Sequence, residues 1–103
     1  MTTTGKRDAI WLDKADNVLV VLRPINPGEA IKVAGIETIA NHAIPTGHKI
    51  AIKAIPKNGM IVKYGEEIGQ ALENIAPGDH VHIQNVRDIT LEVLEKKRKE
   101  LGL

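Results

Sequence analysis

Histidine changes charge near neutral pH, so its ring can accept a proton or, when neutral, ligate a metal. This chain has four histidines, and two of them lie two residues apart in Asp79-His80-Val81-His82-Ile83-Gln84-Asn85. If that run is a strand, His80 and His82 share one face, and Val81 and Ile83 share the other. Two imidazoles on one face can converge on a cation, but further ligands must come from elsewhere. His48 is the best third candidate, since it also begins an apolar run just after a Pro and Gly turn. Asp79 and Glu66 are weaker candidates. The competing reading makes these histidines surface or hydrogen-bonding residues, and His42 reads as a surface residue with nothing to single it out. Lys63-Tyr64-Gly65 could supply a proton donor or an anion contact, or could simply end a strand. Asn85 could bind a ligand or close a turn.

The segments that must position these residues repeat one device. Ile25-Asn26-Pro27-Gly28-Glu29-Ala30-Ile31 has a counterpart in Ile75-Ala76-Pro77-Gly78-Asp79-His80-Val81. Looser versions are Ile44-Pro45-Thr46-Gly47-His48-Lys49-Ile50 and Ile55-Pro56-Lys57-Asn58-Gly59-Met60-Ile61. In the two tight versions Pro presets φ and Gly accepts φ > 0, as a type II turn requires. The four turns predict many short strands, and their unequal consecutive spacings argue against a solenoid repeat. Val18-Leu19-Val20-Val21-Leu22 suits a strand buried on both faces. After Gly47, the alternation places His48, Ile50, Ile52 and Ala54 on an apolar face and Lys49, Ala51 and Lys53 on a solvated one. Met60 to Tyr64 reads as a strand. In Glu67 to Leu72, Gly69 favours strand or irregular structure over helix. Glu37 to His42 reads as a single helical turn or a loop.

The last segment changes character. Asp88 reads as the cap of a helix from about Ile89 to Leu101, stopped by Gly102. Glu92 with Lys96 and Glu95 with Lys99 are favourably ordered pairs four residues apart. Leu91, Leu94 and Leu101 form a thin apolar stripe. The basic cluster Lys96-Lys97-Arg98-Lys99 reads as a solvated face, or as a docking helix toward a partner. Residues 1–7 read as a disordered tail, 8–87 as the β-domain, and 88–103 as the C-terminal helix.

The bulk properties exclude several function classes. The 103 residues suffice for one core. A net charge of +1 provides no general drive toward nucleic acid or anionic membrane. With Trp11 and Tyr64 as the only aromatics, no base-stacking platform can be built. There are no cysteines, hence no disulfides and no thiolate sites. No apolar run approaches the ~20 residues of a membrane span, and no hydrophobic signal core follows the polar N-terminus. The expectation is a soluble cytoplasmic protein. No P-loop, dinucleotide fingerprint, nucleophile elbow or zinc-protease motif appears.

Three stretches, in order, carry a family resemblance. They are Gly47-His48-Lys49-Ile50-Ala51-Ile52, Ile61 to Ala71 (Ile-Val-Lys-Tyr-Gly-Glu-Glu-Ile-Gly-Gln-Ala), and Ile75-Ala76-Pro77-Gly78-Asp79-His80-Val81-His82-Ile83-Gln84-Asn85. Together with Asp16-Asn17-Val18 and Pro27-Gly28-Glu29, they resemble the N-terminal SAF-type domain of the altronate and galactarate dehydratase family. The resemblance implies a mainly β fold, a β-clip of short strands, here with a C-terminal helix. It implies the small subunit of a two-subunit hydro-lyase acting on sugar acids such as altronate, or on a related sulfo-acid as in sulfolactate sulfo-lyase. His48, His80 and His82 are then the expected catalytic residues, facing a large catalytic subunit. Lys49, Lys63, Tyr64 and Asn85 are the expected substrate contacts. A divalent metal is expected to be shared with, or held by, the large subunit. Its ligands here are left unassigned, because the chain has Gln84 where members often carry a further histidine. The alternatives are a free-standing β-clip carbohydrate-binding module or a truncated domain of a longer chain, and a homo-oligomer stays open.

Overall fold

The computed structural model describes residues 8–102; the tail expected over residues 1–7 lies outside that range. Each Pro and Gly turn interrupts the chain before a strand can lengthen, so the strands are short. They are β1 (Ala9–Ile10), β2 (Val18–Val21), β3 (Ala30–Val33), β4 (Ile36–Ile39), β5 (Lys49–Ala51), β6 (Met60–Lys63), β7 (Glu66–Ala71), β8 (His80–Val81) and β9 (Val86–Asp88), followed by the helix α1 (Thr90–Glu100). The antiparallel strands form a sheet in the order β1-β2-β5-β8, a β3-β4 hairpin, and a sheet in the order β6-β7-β9. This is the expected mainly β architecture with one C-terminal helix.

All four turns form, and all have the same construction. The N–H groups of Glu29, His48, Gly59 and Asp79 donate to the carbonyls of Asn26, Pro45, Pro56 and Ala76. The third residue of each turn has positive φ: Gly28, Gly47, Asn58 and Gly78. Although consecutive spacings are unequal, every second turn recurs. Ile25 bridges Ile44, and 30 residues later Ile55 bridges Ile75. The β3-β4 and β6-β7 hairpins turn on Ala34-Gly35 and Tyr64-Gly65, with both residues at positive φ, as a type I′ turn requires. In β7 the pairing steps from Ile61↔Gly69 to Val62↔Glu67, so Ile68 is an extra, bulged residue. It accounts for the 31-residue offset between Ile44 and Ile75. The chain is thus a duplicated strand-turn-hairpin unit, a repeat that consecutive spacing concealed.

The units meet at the β2-β5 ladder. Leu19 pairs with Ile50, and both enter a core with Ala9, Val21, Ile25, Ile31, Ala40 and Ile44. Val18 pairs with Ala51, and both enter a second core with Ile55, Ile61, Ala71, Ile75 and Val81. β2 is therefore buried on both faces, as its apolar run predicts. The solvated lysine face expected for β5 is corrected: Ala51 is fully buried and Lys49 partly so, and only Lys53 is exposed. A second core on that side, absent from the local alternation, makes the difference.

Three other expectations are revised. Much of Glu37 to His42 is strand, because Ala34 takes the positive φ that opens the hairpin without being a glycine. Asp88 is not the helix cap. It ends β9 opposite Gly69, and the buried Ile89 stands at the N-cap with no side-chain cap hydrogen bond. On the helix, Glu92 pairs with Arg87 and Glu95 with Arg98. The stop at Gly102 is as expected, with φ +75 and its N–H donating to the Lys99 carbonyl. Leu91, Leu94 and Leu101 are all exposed.

Candidate functional site

Pairing in β5 and β8 assembles the histidines. Lys49 lies opposite Val81, and Ile50 opposite His80. Continuing that register outward puts His48 opposite His82 and diagonal to His80, all on one face. The ring centroids of His48 and His82 are 3.7 Å apart, and those of His48 and His80 5.1 Å. His48 Nδ1 and His80 Nε2 are 2.8 Å apart, a hydrogen bond that one shared proton completes. Each of the three rings offers a ligand atom, all within 4.8 Å of one another. The structure therefore brings together the three histidines singled out by spacing. Among the described residues, Asp79 and Glu66 do not join that group.

The chain turns sharply after Val81, and Asn85 holds the turn. Its buried amide donates to the His80 carbonyl at 2.8 Å and accepts from the His82 N–H at 3.0 Å. Of its two sequence readings, the structure favours turn closure. The same turn leaves Ile83 exposed rather than packed beside Val81. Gln84 places its amide nitrogen 3.2 Å from His80 Nδ1. Asp79 accepts from the Ala76 N–H and from Asn41, and lies 3.4 Å from His42 Nε2, so the exposed His42 is tied to the turn before His80.

Burial is the main cause lowering the pKa values of His80 and His82, with His48 next. His82 Nδ1 is buried and has no hydrogen-bond partner. Leaving such an atom unsatisfied costs about 1–3 kcal/mol. Lys49 also has a lowered pKa, first from burial and then from repulsion by Lys63. It lines a cleft of about 260 Å³ with His82, Ile68, Ile83, Val86 and Asp88. Tyr64 occupies the β6-β7 turn, with Lys63 Nζ 5.2 Å from its ring centroid. The site is thus three imidazoles beside a partly buried ammonium group, on an open surface. That set can accept a proton, attract a carboxylate, and ligate a borderline metal ion. Gln84 and Asn85 are supporting residues whose roles depend on the turn that follows β8. Only the position of Asn85 in a turn-prone stretch pointed to this.

Residues 7–89 match the family model for the altronate/galactarate dehydratase SAF domain. The chain is 42% identical over 78 residues to altronate dehydratase of Bacillus subtilis, covering 76% of this chain and 16% of the relative. It is 42% identical over 45 residues to the (2R)-sulfolactate sulfo-lyase subunit alpha of Chromohalobacter salexigens, covering 44% of this chain and 48% of the relative. Galactarate dehydratase (L-threo-forming) of Escherichia coli is 47% identical over 47 residues, covering 46% of this chain and 9% of that protein. The chain therefore spans about a sixth of the altronate dehydratase and about half of the sulfo-lyase subunit.

Proposed function

This chain belongs to the altronate/galactarate dehydratase SAF-domain family, and from that membership we propose that it is the small, non-autonomous subunit of a lyase acting on a sugar acid such as altronate or on a related sulfo-acid. The observation that carries the reading is the clustering of His48, His80 and His82, with His82 sharing an open cleft with Lys49. A large catalytic subunit supplies the opposite wall of the pocket. The exposed Leu91 and Leu94 of α1, and Leu101 just after it, offer an apolar face for that contact.

The reaction is an elimination. Lys49 attracts the substrate carboxylate, with Lys63 adding to the positive field. A base of the completed pocket, one of these imidazoles when no cation is held and a group of the large subunit when all three ligate one, takes the proton from the carbon next to the carboxylate. The electron pair of the broken C–H bond forms the double bond, and hydroxide (leaving as water once protonated) or sulfite departs from the neighbouring carbon. The donor set fits a divalent cation, since the three rings are close and His82 Nδ1 is buried without a partner among the described residues. A cation held there would stabilise developing negative charge.

The test is co-expression with a large-chain homologue, pull-down, and assay on altronate and on (2R)-sulfolactate. The expected result is a stable complex active on one acid. Replacing His48, His80 and His82 together by Ala should cost about 10²-fold or more in turnover. Unchanged activity in that variant would overturn the reading. Monomeric behaviour with carbohydrate binding and no partner would instead favour a free-standing binding module.

A further inference from the structure

We propose that His48, His80 and His82 form a binding site for one divalent cation of the zinc type, and that Gln84 is the positioning residue that sets the tautomer of His80. This rests on the same cluster as the lyase reading, but it is tested on the chain alone, so the two fail separately.

Four observations carry it. The ligand atoms of the three rings lie within 4.8 Å of one another. His48 and His80 already point nitrogens at each other, 2.8 Å apart. His82 Nδ1 is buried without a partner. Finally, Gln84 sits on the opposite nitrogen of His80, at 3.2 Å from Nδ1. A metal-bound histidine characteristically gives its other ring N–H to an oxygen, which fixes tautomer and orientation. Gln84 is placed for that role. With its NH₂ facing Nδ1, His80 carries its proton on Nε2 and donates to His48. The same NH₂ also donates to the His80 carbonyl at 3.4 Å, so a half-turn that presents Oε1 to Nδ1, favouring the proton there and leaving the Nε2 lone pair for the cation, must also give up that bond. On this reading, binding moves the His80 proton from Nε2 to Nδ1. The three rings are stacked, with interplanar angles of 11° to 14°, so the His48–His80 hydrogen bond must open and the rings must turn toward a shared ion, which the broad χ2 torsion of histidine allows. So Gln84, a poor substitute for a histidine ligand, is well placed behind one.

The donor set specifies the ion. Three imidazoles and no carboxylate suit Zn²⁺ and its neighbours and disfavour Mg²⁺ and Ca²⁺, which require oxygen ligands. Three protein ligands at a partly exposed site leave a coordination position open.

The experiment is titration of the metal-free chain with Zn²⁺, read by calorimetry and by NMR of the histidine ring nitrogens. One Zn²⁺ per chain is expected, with changes at His48, His80 and His82 and none at His42. Mg²⁺ should produce none of these changes. Gln84→Ala should weaken Zn²⁺ binding about 10-fold or more, and Gln84→Glu, a stronger acceptor, should restore or tighten it. The cation site is overturned if the three rings are silent or if His42 responds equally. The role of Gln84 is overturned if Gln84→Ala binds as tightly as the parent. The ring spectra of the parent chain decide the site even if a histidine variant fails to fold.

Discussion

His80 and His82 carry a stability signature of their own. Burial, then the neighbouring His48, lowers both pKa values. The unfolded chain, with ordinary imidazole values near ~6.5, binds more protons than the folded chain between that value and the lowered ones. The contribution is fully present above the unfolded pKa and is lost as pH falls toward the folded values. In metal-free buffer the melting temperature should therefore drop as pH is taken from about 7.5 to about 5.5. His82→Gln should flatten that dependence. Thermal melts across the range measure it, and an unchanged slope in the variant would show that burial of His82 contributes nothing. The histidine spacing was legible in the chain, because a two-residue interval has only one meaning on a strand. Asn85 and Gln84 were not, because their partners are groups of His80 and His82 brought within reach by a tertiary turn.

The turns are the elements that aim these residues, and duplication makes them comparable. Gly47 and Gly78 occupy equivalent positions, with φ +86 and +91, and their N–H groups donate to the carbonyls of Val21 and Ala51. Their surroundings differ. A methyl group on Gly47 meets nothing within 4 Å, whereas one on Gly78 runs into the Ile39 carbonyl oxygen. Gly47→Ala should cost only the left-handed backbone penalty, about 1–2 kcal/mol. Gly78→Ala should add roughly 1–3 kcal/mol for displaced backbone. Urea unfolding of the two variants compares them, and equal losses would mean that the Ile39 segment yields freely. The Pro-Gly and Pro-x-Gly signals identified these turns directly. Positive φ at Ala34, Asn58 and Tyr64 carried no comparable signal, so β4 was missed.

Across the molecule, the histidine face lies where the duplicated units join. His48 follows the last turn of the first unit, and His80 follows the last turn of the second. β5 brings the two together by pairing with β8, after pairing with β2 on its other edge. A buried Asp16 ties the segment before β2 to the second unit. It accepts from the Leu12 and Asp13 N–H groups and, at 2.7 Å, from the Gly65 N–H in the β6-β7 turn. Asp16→Ala leaves those donors unpaired and should lower unfolding stability by about 1–3 kcal/mol. Asp13→Ala removes only an exposed local bond to the Ala15 N–H and should stay within about 0.5 kcal/mol. Denaturant unfolding separates the two. Comparable losses would mean that Asp16 acts only within its own loop.

Local patterns sufficed for the short-strand character, the four turns, the two-sided burial of β2 and the helix stop at Gly102, and left β7 between strand and irregular structure. Each rests on neighbours in the chain: φ preferences of Pro and Gly, alternation, and apolar runs. Family membership was legible for a related reason, since it resides in ordered motifs. Tertiary packing decided the remainder. Lys49 is drawn partly out of solvent because a second core forms on the Ala51 side of β5. Asp88 is taken into a ladder with Gly69, which puts Ile89 at the N-cap position. His80 and His82 were possible ligands by spacing and His48 a third by its place after a turn, and the β5-β8 register stacks the three rings together. No interval in the chain could have stated that 48 lies opposite 82, because register is set by which cores the two strands fill.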